Sequence, residues 1–357
     1  MSREDIVTDL ESIIPNDAPL QELRTYRTAG TTGHPVIVPH SKVSVACYQA
    51  FIEYALALCG INYQFSEDRV ACFLIGAQSR TVTYATSLSY WNNAGFAKLN
   101  LDQGQWGRNF DSAFYLSEFN PCFLNGDPIS FSKLLELDVD ISPKALITTA
   151  VALSDGLKGR LERRFNCPVI DWYSLTETGP IGCKLPNSEG YRVIAPDIFV
   201  ECLDPYGYPV VSDQIGEITV TGGRNPFLPL IRYRTGDFGR LVQPANGDRL
   251  LVNLEGRKPI LFKRTDGSRL NSVDIAACLR PYPIVQYEFF QKKNLKCEVA
   301  LRIACENDKL WFSELEGNLS ALLGRNSLVE IRIDQNLGQR NSGGKIVPYR
   351  SELLFEE

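Results

Sequence analysis

The chain holds 357 residues, 44% hydrophobic and 22% charged, a composition that excludes fibrous and low-complexity classes. Its length supports a large core plus a second, smaller unit. A formal net charge of −5 speaks against nucleic acid as the main partner, because binding a phosphate backbone needs a basic surface.

The N-terminus, Met1-Ser2-Arg3-Glu4-Asp5, is acidic and lacks the apolar stretch of a signal peptide. No run reaches the roughly 18 apolar residues that a membrane helix needs, so no membrane partner is expected. Ten cysteines without a CxxC pair predict free thiols and a cytoplasmic location. The two histidines, His34 and His40, argue by count against a histidine-rich metal site or a Ser-His-Asp triad.

In chain order, the first segment with chemical potential is Thr28-Ala29-Gly30-Thr31-Thr32-Gly33-His34-Pro35. Glycines permit close backbone approach, and hydroxyls and free amides can cradle phosphate oxygens. It is not a Walker A loop, which places Lys and Ser/Thr after the last glycine. Alone, it reads first as a plain surface turn.

Apolar runs over Val70 to Gly76, Ala145 to Val151 and Pro168 to Tyr173 predict buried strands. Between the last two, Leu157, Leu161 and Phe165 recur at helical spacing and predict a crossover helix over Ser154 to Phe165. This alternation indicates an α/β sheet with helices on its faces. At the end of the third strand stands Asp171-Trp172-Tyr173-Ser174-Leu175-Thr176-Glu177-Thr178-Gly179. Ligands of open α/β sheets bind at the carboxyl ends of strands. Glu177 with Thr176 could hold Mg²⁺ through hard oxygens, and Tyr173 could stack on a base, although a strand-to-loop transition with a solvated glutamate has the same pattern.

From about Asp197 the texture turns to short strands, Ile198 to Leu203, Glu217 to Thr221 and Arg249 to Leu254, which predict an antiparallel or barrel-like portion. Within it, Arg232-Tyr233-Arg234-Thr235-Gly236-Asp237 ends in an acid past a glycine turn, able to accept ribose hydroxyls. Gly256 and Pro259 punctuate the chain, and a linker is expected at 256–260 between a large unit, 1–255, and a small α+β unit, 261–357. The small unit is predicted as a helix over Ser272 to Leu279, strands over Ile284 to Phe290 and Lys296 to Ile303, a helix over Lys309 to Leu323 and a strand over Leu328 to Ile333. Near its end, Gly343-Gly344-Lys345 puts a mobile cation on a glycine loop, able to meet a developing phosphate anion.

In their order these segments resemble the signatures of the adenylate-forming superfamily: acyl- and aryl-CoA ligases, peptide-synthetase adenylation domains and luciferase. The nearest branch is that of the phenylacetate-CoA ligases. Its phosphate loop is similar to TAGTTGHP at 28–35, its YGxTE motif to YSLTE at 173–177, and YRTGD stands unaltered at 233–237. Gly216-Glu217-Ile218 is similar to the family's GEL, Gly256-Arg257 to its hinge, and GGK at 343–345 to its catalytic-lysine loop. The resemblance spans about residues 25 to 350.

The resemblance implies that Thr28, Gly30, Thr31, Thr32 and Gly33 bind the ATP phosphates. Tyr173 and Ser174 would lie beside the nucleotide, Thr176 and Glu177 would serve phosphate and Mg²⁺, and Asp237 and Arg257 would hold the ribose region. Lys345 would bridge the substrate carboxylate and the α-phosphate from a mobile C-terminal domain that rotates after adenylation. The implied activity is ATP-dependent conversion of a small, aromatic carboxylic acid to its acyl-adenylate with release of pyrophosphate. Transfer to a thiol of CoA or of an acyl or peptidyl carrier protein would follow. Alternatives are transfer to an amine or a protein cysteine, or a non-catalytic nucleotide-binding partner. Trp91, Asp171 and Trp172 are candidates for the acid pocket. Three departures stand out: the phosphate loop begins at residue 28, implying a reduced N-terminal subdomain; His34 stands where the family often has lysine; and Lys258-Pro259 follows the hinge arginine, where proline restricts rotation. A zinc site is not expected, since no histidine accompanies Cys183 and Cys202. No sequence feature specifies the oligomeric state.

Overall fold

A computed structural model describes residues 1–28, 36–78, 81–106, 111–211, 214–244, 247–304, 311–324, 327–338 and 346–353. The chain opens with helices α1 (Arg3–Thr8) and α2 (Leu10–Ile13), then hairpin strands β1 (Arg24–Arg27) and β2 (Ile37–His40) and helix α3 (Lys42–Leu58). There follow β3 (Val70–Gly76), β4 (Tyr84–Leu88), β5 (Ala94–Asn100), α4 (Asp111–Phe119), β6 (Phe123–Gly126), α5 (Pro128–Leu134), β7 (Ala145–Thr148), α6 (Asp155–Phe165) and β8 (Val169–Leu175). Six more strands complete the large unit: β9 (Gly179–Lys184), β10 (Tyr191–Val193), β11 (Ile198–Leu203), β12 (Gly216–Gly222), β13 (Leu230–Val242) and β14 (Leu250–Glu255).

Twelve of these strands form one mixed sheet in the order β11-β12-β13-β14-β10-β9-β8-β7-β6-β3-β5-β4. Strands β5, β3, β6, β7 and β8 run parallel, and their near-continuous apolar sequences follow from burial on both faces. On one face Leu146 and Val169 pack with Leu157, Leu161 and Phe165 of α6. On the other, Ile147, Ile170 and Trp172 pack with Ala55 and Leu56 of α3. Helix α6 forms where the spacing predicts it. The Ser154 side chain accepts from the Leu157 amide at its start, and Asn166 closes it at φ 50°, the left-handed conformation that ends many helices.

The strands after Asp197 are antiparallel, as expected, but they do not close a separate barrel. The turn at 176–178 folds β9 back onto β8, so the next strands extend the free edge of the same sheet. The pair β1–β2 stands apart as a two-stranded unit. Ile6 of α1 is buried there with Val36, Val38, Leu230 and Tyr233.

Beyond Glu255 come β15 (Leu261–Lys263), β16 (Arg269–Asn271), α7 (Ser272–Leu279), β17 (Ile284–Gln291), β18 (Cys297–Ile303), α8 (Phe312–Leu323), β19 (Val329–Ile333) and β20 (Tyr349–Ser351). Four of them form a sheet in the order β19-β18-β17-β20. This region has its own core, in which Phe262, Leu279, Phe289, Val299, Leu315 and Leu319 pack together. The predicted start of α8 at Lys309 lies outside the described residues. The region meets the large sheet's helices at α6: the Asp155 amide donates to the Arg280 carbonyl at 2.9 Å, and Val285 and Ala304 join the core around Leu157. None of the described helices is long and apolar enough to cross a membrane.

Candidate active site

The hairpin β1–β2 carries the glycine loop on a fixed neck. Thr28 donates its amide to the Val36 carbonyl at 3.0 Å, and the Val36 amide donates to Thr28 Oγ1 at 3.1 Å. Gly30, Thr31, Thr32, Gly33 and His34 lie outside the described residues. A second donor on Thr28 Oγ1 is Arg3, whose Nη2 lies 3.0 Å away. Sequence reading missed Arg3, because a cation on an N-terminal helix carries no motif. Its place depends on Ile6 anchoring α1 to β2 and β13 and on the Arg234 amide, which donates to the Met1 carbonyl at 2.8 Å.

The opposite wall is the carboxyl end of β8. Side chains alternate along a strand, so Ile170 and Trp172 enter the core beneath α3 while Asp171 and Tyr173 face the other side. The buried Tyr173 hydroxyl donates to Asp237 Oδ2 at 2.9 Å. Two segments 64 residues apart thus meet at one hydrogen bond. Burial, and then the Asp237 charge, hold the Tyr173 phenol protonated, which keeps it a donor. Ser174 follows at an irregularity in the β8–β9 register.

Thr176 and Glu177 occupy the turn between β8 and β9. Glu177 is 5% exposed, and the Tyr233 phenol is hydrogen-bonded to it. Burial is the main reason that phenol stays protonated, with Glu177 adding to it. His40 Nε2 sits 2.7 Å from the Thr176 carbonyl. Only a protonated nitrogen can donate there, so the proton is assigned to Nε2. Burial lowers the His40 pKa against two weaker effects that raise it, and the ring is neutral at neutral pH. His40, at the end of the strand that follows the glycine loop, therefore ties that hairpin to the Thr176–Glu177 turn. A lone histidine after a short strand gave no sign of this in sequence.

Asp237 is placed by the turn before it. Gly236 has φ 78°, a conformation that favours glycine. Glu217 pairs with Arg234 at 2.5 Å and accepts the Gly236 amide at 3.2 Å, which explains why a Gly-Glu-Ile strand start accompanies the YRTGD segment. Asp237 Oδ1 lies 3.8 Å from the point where a Cβ on Gly256 would stand, so the ribose candidate adjoins the expected linker. Arg257 Nη2 reaches the Ile346 carbonyl at 3.4 Å. Lys345 lies outside the described residues, but the residue that follows it is held against Arg257.

Of the three acid-pocket candidates, Trp91 and Trp172 lie in the core beneath α3, and Asp171 lies on the Tyr173 face of β8. Trp91 is 1% exposed and stacks on Phe65 at 4.5 Å, and Trp172 shares that core. Asp171 is buried, accepting from Thr148 Oγ1 at 2.9 Å and from the Tyr191 hydroxyl. Its carboxyl is raised above the usual carboxylate range by burial, against both hydrogen bonds. All three side chains are occupied by packing or by buried partners. Tyr191 also meets the Tyr173 ring at 6.1 Å, so Asp171 is one side chain removed from the Tyr173–Asp237 pair, while the two tryptophans pack in the core.

No family model matches the chain. It is 24% identical over 207 residues to protein CapK of Staphylococcus aureus, covering 54% of this chain and 44% of that protein. It is also 24% identical over 252 residues to a phenylacetate-coenzyme A ligase of Escherichia coli strain K12, covering 66% of this chain and 55% of the ligase. The chain thus spans about half the length of the curated relatives it matches. Among solved structures, 2-hydroxyisobutyryl-CoA ligase in its postadenylation state superposes with a TM-score of 0.69 at 16% identity, covering 99% of this chain and 79% of that one. In sequence the chain is similar to phenylacetate-coenzyme A ligases, and its fold is that of acyl-CoA ligases.

Proposed function

We propose that this chain activates a small carboxylic acid as its acyl-adenylate and passes the acyl group to a thiol of CoA or of a carrier protein. The observation that carries the reading is the convergence of Tyr173 on Asp237 at 2.9 Å, beside the buried Glu177 and the Arg257–Ile346 contact. These groups come from the end of β8 and its turn, from β13, and from the linker and the C-terminal segment, and they suit different parts of ATP. Apart from CapK, the relatives carry the name of a CoA ligase, which agrees with a thiol acceptor.

Carboxylate attack on the α-phosphate brings two anions together and expels pyrophosphate, so positioning and charge neutralisation supply the catalysis. Thr28 and the glycine loop would hold the phosphates, Tyr173 and Ser174 would border the base, and Asp237 would accept ribose hydroxyls. Lys345 would neutralise charge on the carboxylate and the α-phosphate. Magnesium fits the turn, because Glu177 keeps carboxylate lone pairs beyond the one that Tyr233 uses and Thr176 adds a hydroxyl. When bound there, the ion would neutralise phosphate oxygens. The nine described cysteines are all free, which agrees with a reducing, cytoplasmic location.

Acid-dependent exchange of pyrophosphate into ATP, measured over a panel of carboxylic acids, tests the reading. Exchange with at least one acid is expected. Lys345→Ala is expected to lower it by at least about 100-fold, the scale of losing one group that stabilises developing charge. Wild-type exchange in that variant would remove Lys345 from the mechanism. Exchange with no acid would favour a non-catalytic nucleotide-binding role.

A further inference from the structure

Beside the Thr176–Glu177 turn lies a set of donors that the adenylation chemistry leaves unused. Arg224, in the loop between β12 and β13, directs Nε and Nη2 onto Asp197 at 2.9 and 2.5 Å. Its guanidinium carbon lies 4.3 Å from the ring centroid of Phe51 on α3. The Arg224 side chain is 14% exposed, and its Nη1 has no hydrogen-bond partner among the described residues. One turn before Phe51 on the same helix is Tyr48, whose hydroxyl also lacks a partner among them. Both groups border the space that Gly179 leaves open: a Cβ there would stand 3.3 Å from Arg224 Nη1 and 3.7 Å from the Tyr48 hydroxyl. Gly179 has φ 73° and pairs with Leu175 across the turn that carries Glu177.

We infer that Arg224 Nη1 and Tyr48 Oη form a specificity niche that binds a neutral oxygen acceptor, a hydroxyl or a carbonyl, on the acyl part of the substrate. The inference rests on the proposed adenylation, since it places the niche beside the turn where the carboxylate would react. Guanidinium and phenol N–H and O–H groups can only donate or, for the phenol, also accept. Covering them with a purely apolar acyl group would leave desolvated donors unmade, which costs more than a net hydrogen bond gains. A second carboxylate is disfavoured as well. Asp197 already pairs with Arg224, and the nearby Glu177 carboxylate would repel a further anion, although burial and then the opposing Arg224 charge act on Tyr48 more strongly than Glu177 does. The substrate class is therefore a monocarboxylic acid with a neutral oxygen substituent.

The test measures pyrophosphate exchange by the full chain with matched acids: benzoate against 3- and 4-hydroxybenzoate, and butanoate against 4-hydroxybutanoate and succinate. Within at least one set, the neutral oxygen-bearing acid is expected to lead in kcat/KM by about 10- to 100-fold, the range that a site built to hydrogen-bond its substrate readily exceeds. Tyr48→Phe, which removes one oxygen atom and keeps the ring, is expected to shrink that ratio severalfold, and Arg224→Met to collapse it. Calorimetric titration of the same acids into the chain reads the niche independently of turnover. If no acid supports exchange but an oxygen-bearing acid still binds selectively and loses that selectivity in Tyr48→Phe, the adenylation reading fails and the niche stands. If apolar acids or succinate equal or surpass their neutral oxygen-bearing partners in both measurements, or if Tyr48→Phe leaves the ratio unchanged, the niche is refuted.

Discussion

Glu255 is the residue whose ionisation the fold disturbs most usefully. It ends β14, directly before Gly256-Arg257, and burial raises its carboxyl to about 7, against the opposing charge of Arg280. In the unfolded chain the same group titrates near the ordinary glutamate value of 4.5. Between these two values the folded state holds more protons than the unfolded state. Stability therefore falls as pH rises from about 4.5 to about 7, and the penalty is complete above that window. Glu255→Gln removes the ionisation and is expected to raise the melting temperature at pH 8, while the difference from wild type vanishes at pH 4.5. Thermal unfolding of both proteins across this range checks it, and equal melting temperatures at pH 8 would mean that the carboxyl is not strained. At this scale the sequence was informative where a residue type has one common use. Asp237 after a glycine turn and Glu177 after an apolar strand were legible. Arg3, His40 and Glu255 were not, since their partners lie 25, 136 and about 25 residues away and no periodicity links them.

Elements were legible wherever one periodicity dominated. Helix α6 carries Leu157, Leu161 and Phe165 on a single face, and β3 runs over the predicted Val70–Gly76. What α6 packs against could not be read from that face. Its first turn meets the backbone of the C-terminal region so closely that a Cβ on Gly156 would stand 2.2 Å from the Tyr282 carbonyl carbon. In a solvated helix, Gly→Ala gains roughly 0.5–1 kcal/mol. Here the added methyl must move main chain, and overpacking of this kind costs about 1–3 kcal/mol. The clash should win. Gly156→Ala is expected to lower the melting temperature, and a rise would show that the C-terminal region does not rest on α6 in solution.

Across the whole molecule, the order of the motifs matches the order in which the fold uses them. The turn after β8 and the end of β13 converge on one hydrogen bond between Tyr173 and Asp237, and the residue after Lys345 is tied to Arg257. The region after Glu255 has a core of its own, so a rotation about 256–260 would leave that core intact. Proline holds φ near about −65°, and Pro259 stands in this stretch. Under the proposed function, Pro259→Ala is expected to quicken thiol transfer, measured as thioester formation in single-turnover mixing, while pyrophosphate exchange stays near the wild-type rate. Equal thioester rates would show that proline at this position does not limit the rotation.

The sequence alone determined the alternation of strands and helices, the small C-terminal unit and the set of motifs, because each is written in a local pattern of polarity, turn residues or spacing. Tertiary structure decided that the strands after Asp197 extend the first sheet instead of closing a barrel, since strand pairing is a long-range choice that local alternation does not encode. It also decided the partners of the chemical groups. Trp91 and Trp172 fill a core, Asp171 satisfies buried hydroxyls, and Arg224 and Tyr48 stand beside Gly179. Burial and the third dimension, not residue type, separate those roles.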